Sequence, residues 1–438
     1  MPEPRQITAA PHGHVLTNAG AWSPDSRWLV YDIRSTPDGS TFDGTRIERV
    51  EVETGRVEVL YEARAGACCG VATCSPVDDR VVFILGPERP TADWEYGPAR
   101  RQGVVVRASR PGIAEPLDAR DLVPPFTAGA LRGGSHVHVF APDAEAVSFT
   151  YEDAVLEAAS AGGYAERNLR GVGVSVCGRP TAVPKTHPRN HDGSAFSVLV
   201  TRLTDTPRRG SDEVTRACEE AWIGADGYVA ADGIRRRRAL ALQGHVVAAS
   251  GASISEVFVV DLPDDLADLA RERDGPLAGT ATTRPVPPQG VFQRRLTFTA
   301  DRRHPGLQGP RHWLRSSPDG TRIAFLMRDD TGVVQLFTVD PAGGEPRQLT
   351  ATATGIASAF TWKADGTGLA CVVDGSVCLV AAPDGGLTRL TPPVRDGSGP
   401  RPEACVLSPD GRRIAYVRNL PAGDGRAWNQ LLTIDVPR

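Results

Sequence analysis

The chain lacks the sequence signals of several common protein classes. No run of 18 or more apolar residues occurs, and the opening segment MPEPRQITAA has no apolar core typical of a secretory signal. A Gly-x-Ser-x-Gly elbow, a phosphate-binding loop, a dinucleotide fingerprint and a Cys-x-x-Cys pair are all missing. The formal net charge is only -4, so no basic surface is expected. These absences predict no membrane partner, no nucleic-acid partner and no serine hydrolase domain.

The cysteines do not follow the close spacing of a small disulfide-bonded domain. The chain has eight, including the adjacent pair Cys68 and Cys69. Without a secretory signal, such cysteines are expected to be reduced thiols. The sequence therefore predicts a cytoplasmic protein.

A short turn phrase recurs along the chain, and each copy is followed at once by an apolar run. The copies are Trp22-Ser-Pro-Asp25, Ser317-Pro-Asp-Gly320, Trp362-Lys-Ala-Asp-Gly366 and Ser408-Pro-Asp-Gly411. Proline sets φ at the first corner, aspartate bonds back to the backbone, and glycine accepts the left-handed position. Strand, turn and strand repeating about every 40 to 50 residues is typical of propeller blades. The 46 glycines and 36 prolines agree with an all-β protein rich in turns.

The phrases and their weaker variants predict a seven-bladed β-propeller of the TolB or WD40 type over residues 1–438. The expected blade starts lie near positions 20, 70, 136, 183, 312, 358 and 403. Blade seven lacks a fourth strand, but Pro4-Arg-Gln-Ile-Thr8 repeats Pro346-Arg-Gln-Leu-Thr350. We expect this N-terminal strand to complete the last blade and close the ring.

Residues 204–290 do not fit the repeat. They contain a helix candidate over 211–222, with Ser211 as its N-cap. The segment is expected to be an insertion in blade four, and the alternative is an irregular eighth blade. An insertion with such a helix could dock a protein partner, which would make the propeller a non-enzymatic scaffold.

Histidines recur at the positions expected to face the central channel. The first strand of a blade lines the channel, and alternate side chains of a strand share one face. Counting back from each turn places His136 and His138 of blade three, Lys185 and His187 of blade four, and His312 of blade five on that face. Imidazoles gathered on one wall suit a divalent metal, or a general base beside an anion site. The alternative is that they only bond to neighbouring strands or to channel water.

The repeated phrases resemble those of TolB-like propellers. The segments 131–140, 293–298 and 323–330 are similar to the YidR-like family of uncharacterised bacterial propellers, over essentially the whole chain. The resemblance implies the propeller fold and no particular activity. The pair His136-x-His138 also resembles, more distantly, part of the metal motif of oligogalacturonate lyases, with Gly133 standing where those enzymes have glutamine.

The lyase resemblance implies roles for individual residues. His136, His138 and His312 would hold a divalent metal, manganese or zinc, and His187 would be the base. Lys185 or Arg132 would bind the substrate carboxylate. The sequence thus predicts a channel that binds a small anionic or carbohydrate ligand. The alternatives are a metal-dependent lyase of uronate oligosaccharides and the scaffold.

Overall fold

Seven four-stranded antiparallel sheets form the blades of a β-propeller in the computed structural model, which describes residues 2–17, 19–159, 163, 165–311, 313–382 and 384–437. Each sheet contains strands a to d, counted outward from the channel. The predicted all-β, seven-bladed architecture is confirmed.

The strands of the first three blades are as follows, numbered in chain order. After the closing strand β1 (Arg5–Gln6), blade one contains β2 (Gly13–Val15), β3 (Trp28–Arg34), β4 (Arg46–Glu51) and β5 (Val57–Glu62). Blade two contains β6 (Cys69–Cys74), β7 (Arg80–Leu85), β8 (Gln102–Arg107) and β9 (Arg110–Pro116). A parallel pair, β10 (Ala119–Arg120) and β11 (Ala130–Leu131), precedes blade three, which contains β12 (Gly133–Phe140), β13 (Ala146–Asp153), β14 (Gly171–Thr181) and β15 (Gly193–Leu199).

The remaining four blades follow the same order. Blade four contains β16 (Arg216–Trp222), a hairpin of β17 (Tyr228–Val229) and β18 (Arg235–Arg236), then β19 (Ala239–Val247), β20 (Ser253–Asp261) and β21 (Phe292–Arg295). Blade five contains β22 (Arg315–Ser316), β23 (Ile323–Arg328), β24 (Val334–Val339) and β25 (Arg347–Gln348). Blade six contains β26 (Thr361–Trp362), β27 (Gly368–Val373), β28 (Ser376–Ala381) and β29 (Leu387–Arg389), and blade seven contains β30 (Pro400–Leu407), β31 (Arg413–Pro421), β32 (Ala427–Asp435) and β1.

Within the described ranges, helical structure is confined to short segments. They are α1 (Ala154–Ala159) and the 3-10 turns Ala19–Ala21 and Leu266–Ala270. None of the helices in the described ranges is long and apolar enough to cross a membrane. All eight cysteines are free thiols, and five of them are buried.

The turn phrase acts through its serine and aspartate side chains. In blade seven, the Ser408 hydroxyl donates to the Asp410 carboxylate at 2.6 Å and accepts from the Arg413 backbone N–H at 3.0 Å. Gly411 follows with φ of 70°, a left-handed conformation that glycine adopts without strain. The turn therefore reverses strand a into strand b, so that the apolar runs after it form the packed second strands.

The N-terminal strand closes the ring as predicted. Arg5 pairs with Thr433 and Gln6 with Leu432, antiparallel, at the outer edge of blade seven. Thr8 extends the contact, because its hydroxyl donates to the Gln430 side chain and accepts from the Leu431 backbone N–H, both at 2.9 Å. The outer edge of β32 is therefore covered by a strand from the other end of the sequence.

The prediction for blade four was wrong. Residues 204–290 are not an insertion, because they hold the first three strands of that blade, and the helix candidate over 211–222 contains strand β16. Blade four was expected to begin near position 183, but residues 193–199 form the outer strand of blade three instead. The turn that reverses β16 is extended by the β17–β18 hairpin, so no compact turn phrase marks it.

Candidate ligand site at the channel mouth

A β-bulge interrupts strand a of three consecutive blades at the same position. In β6, β12 and β16, two residues lie opposite one residue of strand b. The first bulged residue is Val71, Val137 or Glu219, with φ of 60°, 55° and 59°. Left-handed backbone is uncommon for any residue with a Cβ and an outlier for valine. The bulges change which side chains point into the channel, so simple alternation along strand a does not hold.

An apolar plug fills the channel at the level of these bulges. Val71 and Val137 belong to one buried cluster with Ile84 and Trp313, and Phe42 packs against it. These residues come from blades one, two, three and five. Side chains from blades that are not neighbours meet at the channel axis, so the strained valines face the centre. Neither His136 nor His138, which were predicted to face the channel, belongs to this cluster.

His138 faces the neighbouring blade. Its imidazole is fully buried, with Nε2 at 3.0 Å from Ser135 Oγ. The Ser135 hydroxyl donates to Asp118 at 3.0 Å, so Nε2 is the donor to Ser135. A Cβ on Gly103 would lie 2.4 Å from Nε2, so only glycine admits the ring there. Burial lowers the pKa of His138 to about 3 and raises that of Asp118 to about 6.

His136 precedes the bulge and lies among cationic side chains. Burial lowers the pKa of its imidazole well below the ordinary value, and the guanidinium groups of Arg101 and Arg170 lower it further. The ring is therefore neutral at pH 7. Its Nδ1 is buried and has no hydrogen-bond partner among the described residues. His136 thus presents a neutral imidazole beside two positive charges.

Two buried arginines flank a pair of aromatic rings next to His136. Arg34 is 5% exposed and Arg101 is 7% exposed. The guanidinium of Arg34 lies 4.4 Å from the ring centroid of Phe42, which stacks on Tyr96 at 4.9 Å. The Tyr96 hydroxyl lies 3.3 Å from Arg101 Nη1. We call these five residues, Arg34, Phe42, Tyr96, Arg101 and His136, the channel mouth.

The charges of the mouth are incompletely paired. Arg34 forms an ion pair with the buried Asp32, yet its Nε and Nη1 have no hydrogen-bond partner in the described part of the chain. Arg101 has no carboxylate within ion-pair distance among the residues that the structure describes, and its Nε is also unpartnered. Burial lowers the pKa of Arg101, against the opposing effects of Tyr96 and of the Glu152 carboxylate, which is itself paired with Arg170. The mouth therefore carries an excess of buried positive charge.

A second polar cluster surrounds the bulge of blade four. Glu220 is 1% exposed and accepts a hydrogen bond from Thr150 Oγ1 at 3.2 Å, while Gln243 donates to Glu219 at 3.0 Å. Burial raises the pKa of Glu220 to about 7. Burial also lowers the pKa of Arg315 to about 10 against the opposing effect of Glu219 and Glu220.

The three residues predicted to act on a substrate lie apart from the channel mouth. Arg132 is completely buried, pairs with Asp153 at 2.6 Å and stacks on Phe126, so its guanidinium is fully used in packing. Lys185 is exposed and pairs with Asp192. His187 accepts from the Arg189 backbone N–H at 3.1 Å, and its ring lies 6.3 Å from that of Trp94. Their predicted catalytic roles stay predictions.

The described residues do not fit the predicted divalent metal. No three His, Cys, Asp or Glu side chains in the described ranges converge on a point that could hold one. His138 uses Nε2 on Ser135, and the charges nearest His136 are guanidinium groups, which repel a cation. His312 lies outside the described residues. Metal ligation by His136, His138 and His312 therefore stays a prediction.

Sequence reasoning did not find Arg34, Phe42, Tyr96 or Arg101. They lie at the end of β3 and in the two loops that join the second and third strands of blades one and two. No repeat phrase marks these loops, so the sequence gives no signal that they meet. A signal for blade four does exist, since Trp222-Ile-Gly-Ala-Asp-Gly227 is similar to Trp362-Lys-Ala-Asp-Gly366.

The fold and the closing strand define the class of the protein, a seven-bladed β-propeller closed by its N-terminal strand. A family of proteins of unknown function, DUF3748, matches residues 68–191, which contain Arg101 and His136. The uncharacterized protein YidR of Escherichia coli (strain K12) is 46% identical over 425 residues, which cover 97% of this chain and 96% of YidR. The chain belongs to the YidR family.

Solved structures with a similar fold include oligogalacturonate lyases. One, in complex with manganese, is 13% identical with a TM-score of 0.53, and the alignment covers 100% of this chain and 94% of the enzyme. The enzyme from Vibrio parahaemolyticus is 10% identical with a TM-score of 0.51, again covering 100% and 94%. Such low identities show a common fold and nothing about activity.

Proposed function

We propose that this protein binds a small anionic ligand at the channel mouth. The observation that carries the proposal is Arg101, a buried guanidinium without a carboxylate partner in the described structure. Holding such a charge out of water is costly unless an opposite charge compensates it. A bound carboxylate or phosphate would supply that charge, since both match the planar donor geometry of arginine.

The neighbours of Arg101 support the same ligand chemistry. Arg34 offers two further unpartnered nitrogens, and neutral His136 offers Nδ1. The stacked rings of Phe42 and Tyr96 provide an apolar face between the two arginines. An anion placed there would also raise the pKa of His136 by opposing the guanidinium charges. Proton uptake should therefore accompany binding below neutral pH.

The strained bulges give the site a rigid base. Residues held in sparsely populated backbone regions cost on the order of 1–3 kcal/mol each and cluster at functional sites. Here Val137 follows His136 directly, and the Val71 backbone N–H donates to Asp32 at 3.1 Å, the carboxylate that pairs with Arg34. The bulges thus fix the backbone beside two of the groups proposed to bind the ligand.

The test compares two adjacent arginines. Arg101→Gln removes the buried charge, whereas Arg100→Gln removes a surface arginine that pairs with Glu157 at 2.9 Å. Isothermal titration calorimetry with inorganic phosphate, citrate and acetate measures binding to the wild type and both variants. Losing a charged hydrogen bond costs about 1.5–3 kcal/mol, so Arg101→Gln should weaken binding roughly 10- to 100-fold.

Arg100→Gln is the control for Arg101→Gln. Arg100→Gln should change the affinity less than about twofold, because surface ion pairs contribute little. If the wild type binds none of these anions, or if both variants bind like the wild type, the proposal fails. Circular dichroism should first establish that Arg101→Gln keeps the β-sheet signal.

A metal-dependent uronate lyase is a second candidate. It rests on His136, a neutral imidazole beside cationic groups that would bind a carboxylate, because the bound carboxylate would raise the lowered pKa of this imidazole toward that of a base. An oligogalacturonate lyase solved in complex with manganese has a similar fold, so lyase activity should be assayed with manganese present. Incubation with oligogalacturonides and manganese should then give an unsaturated product, detected by ultraviolet absorbance, and His136→Gln should abolish it. Absence of product in the wild type would contradict this candidate while leaving anion binding open.

A further inference from the structure

We propose that the ligand of the channel mouth is a polyhydroxylated anion, a sugar acid or a sugar phosphate. Its charge would lie on Arg101 and its hydroxyl groups on an opposite wall formed by Trp313, Arg401 and Glu403. This inference rests on the proposed anion site and adds the chemistry of the remainder of the ligand.

The opposite wall presents two donors and one acceptor without partners. Trp313 is 9% exposed, and its indole Nε1 has no hydrogen-bond partner in the described ranges. The same is true of Arg401 Nε and Glu403 Oε2. The other oxygen of Glu403 lies 3.5 Å from Arg401 and 4.0 Å from Arg311, which keeps the carboxylate in place.

Shared contacts link the two walls. Trp313 is part of the apolar plug with Val137, and Phe42 of the mouth packs against the same cluster. Arg401 Nη2 donates to the Asp38 backbone carbonyl at 3.4 Å. Asp38 and Phe42 lie in the same loop of blade one, between β3 and β4. A ligand of a few carbon atoms held at the mouth would therefore lie between the arginine wall and this second wall.

Because the second wall offers both hydrogen-bond donors and an acceptor, it favours a ligand that carries hydroxyl groups. A hydroxyl both donates and accepts, so one can give its proton to Glu403 and another can accept from Trp313 or Arg401. Leaving such buried groups unpaired costs free energy, which a matching ligand recovers. An inorganic anion or a dicarboxylate would satisfy Arg101 but would leave the donors of Trp313 and Arg401 and the acceptor of Glu403 unpaired.

Matched ligand pairs test the proposal by calorimetry on the full chain. The pairs are D-gluconate with acetate, and D-glucose 6-phosphate with inorganic phosphate. In at least one pair, the polyhydroxylated member should bind at least tenfold more tightly than its hydroxyl-free partner. The pair that shows the larger difference identifies whether the anion is a carboxylate or a phosphate.

Variants separate this inference from the anion site. Glu403→Gln and Trp313→Phe should each reduce the advantage of the polyhydroxylated member at least tenfold, while acetate and phosphate affinities stay within twofold. Arg101→Gln should weaken all four ligands. Equal affinities within both pairs, or an unchanged advantage in Glu403→Gln, would overturn the inference while the anion site stands. Failure of all four ligands to bind the wild type would overturn both.

Discussion

Three residues of this propeller, Val71, Val137 and Glu219, hold left-handed backbone at equivalent positions of consecutive blades. Regular alternation along strand a would point the side chain of the following residue into the channel. The left-handed backbone points the side chain of the strained residue there instead. His138 and Glu220, the residues after the strained ones, turn toward the preceding blade and become buried. One backbone feature therefore explains both the apolar plug and the two buried ionisable groups beside it.

Glu220 should make stability depend on pH in a direction opposite to that of a surface carboxylate. Its pKa is raised from 4.5 to about 7, so the folded protein keeps a proton that the unfolded chain releases. The contribution of this residue to the free energy of unfolding should therefore fall by about 3 kcal/mol as pH rises from about 4.5 to about 7, and level off above. Glu220→Gln should remove this fall and be more stable than the wild type at pH 8.

Urea unfolding at several pH values between 4.5 and 8 measures the effect. Glu157→Gln, which removes a partly exposed carboxylate paired with Arg100, is the matched control and should keep the wild-type dependence. A Glu220→Gln profile parallel to that of the wild type would show that Glu220 is ionised throughout and would contradict the expectation.

The strands show which parts of the fold the sequence predicts well. Turn phrases act locally, through side chains that bond within a few residues, so the turns of blades one, five, six and seven could be recognised directly. The closing strand could be recognised because it repeats another outer strand. Blade four was missed because its first turn is enlarged by a hairpin and because the bulge in β16 breaks the two-residue period.

The candidate site was predicted less well, because a β-bulge changes the side-chain alternation and because distant loops meet there. His136 and the channel location were predicted, but alternation placed His138 inward and the bulge at Val137 turns it away. The arginines of the mouth come from loops whose meeting depends on the whole ring. No local pattern encodes that contact, so only the three-dimensional structure shows it.

The closing strand should be held by its threonine. Thr8→Val keeps the side-chain shape but removes the hydrogen bonds to Gln430 and Leu431, and should cost about 1–3 kcal/mol of the free energy of unfolding. Thr350→Val is a matched control, since Thr350 makes the same bonds to Gln335 and Leu336 in blade five. Both should lower the melting temperature in calorimetry.

Only the variant in the closing strand should also promote aggregation. The strand of Thr350 is attached to the ring at both of its ends, whereas loss of β1 exposes the outer edge of β32. Deletion of residues 2–9 should aggravate the effect in light scattering. If both threonine variants and the deletion stay as soluble as the wild type, β1 does not protect that edge.

At the scale of the whole molecule, ionisable groups are buried at several seams between blades. His14 bonds to the Asn429 carbonyl at 2.9 Å across the seam of blades one and seven, His138 lies between blades two and three, and Glu220 between blades three and four. Burial lowers the pKa of His14 and of His138 to about 3, and that of His136 well below its ordinary value. The ring is therefore joined by contacts that depend on neutral imidazoles.

The propeller should lose stability in mild acid. Each imidazole takes up a proton near pH 6.5 only when the chain unfolds, so the free energy of unfolding should fall as pH drops from about 6.5 to 4. Asp118 and Glu220 act in the opposite direction, because their raised pKa values favour the folded state in this range. These three imidazoles, together with that of His191, whose pKa burial lowers to about 3, outweigh the two carboxyls, so the net free energy of unfolding should fall in acid.

Urea midpoints at pH 4 and pH 6.5 measure this loss. His138→Gln, which keeps a side-chain donor for Ser135, should reduce the difference by about 3 kcal/mol, because the pKa of that imidazole is lowered from 6.5 to about 3. A higher midpoint at pH 4 than at pH 6.5 would contradict the sign.

The bond between Thr8 and Gln430 joins residues that are 422 positions apart in the sequence. During synthesis, β1 leaves the ribosome long before β32 and must therefore wait until its partner strand has been made. Contacts of such long sequence separation form slowly, because the loop that they close is large. Blades one to six can pack in succession while the chain grows, but the ring can lock only in a late step. The nascent protein would then depend on protection of its first strand, and the rate of that last pairing would set when the channel acquires its final shape.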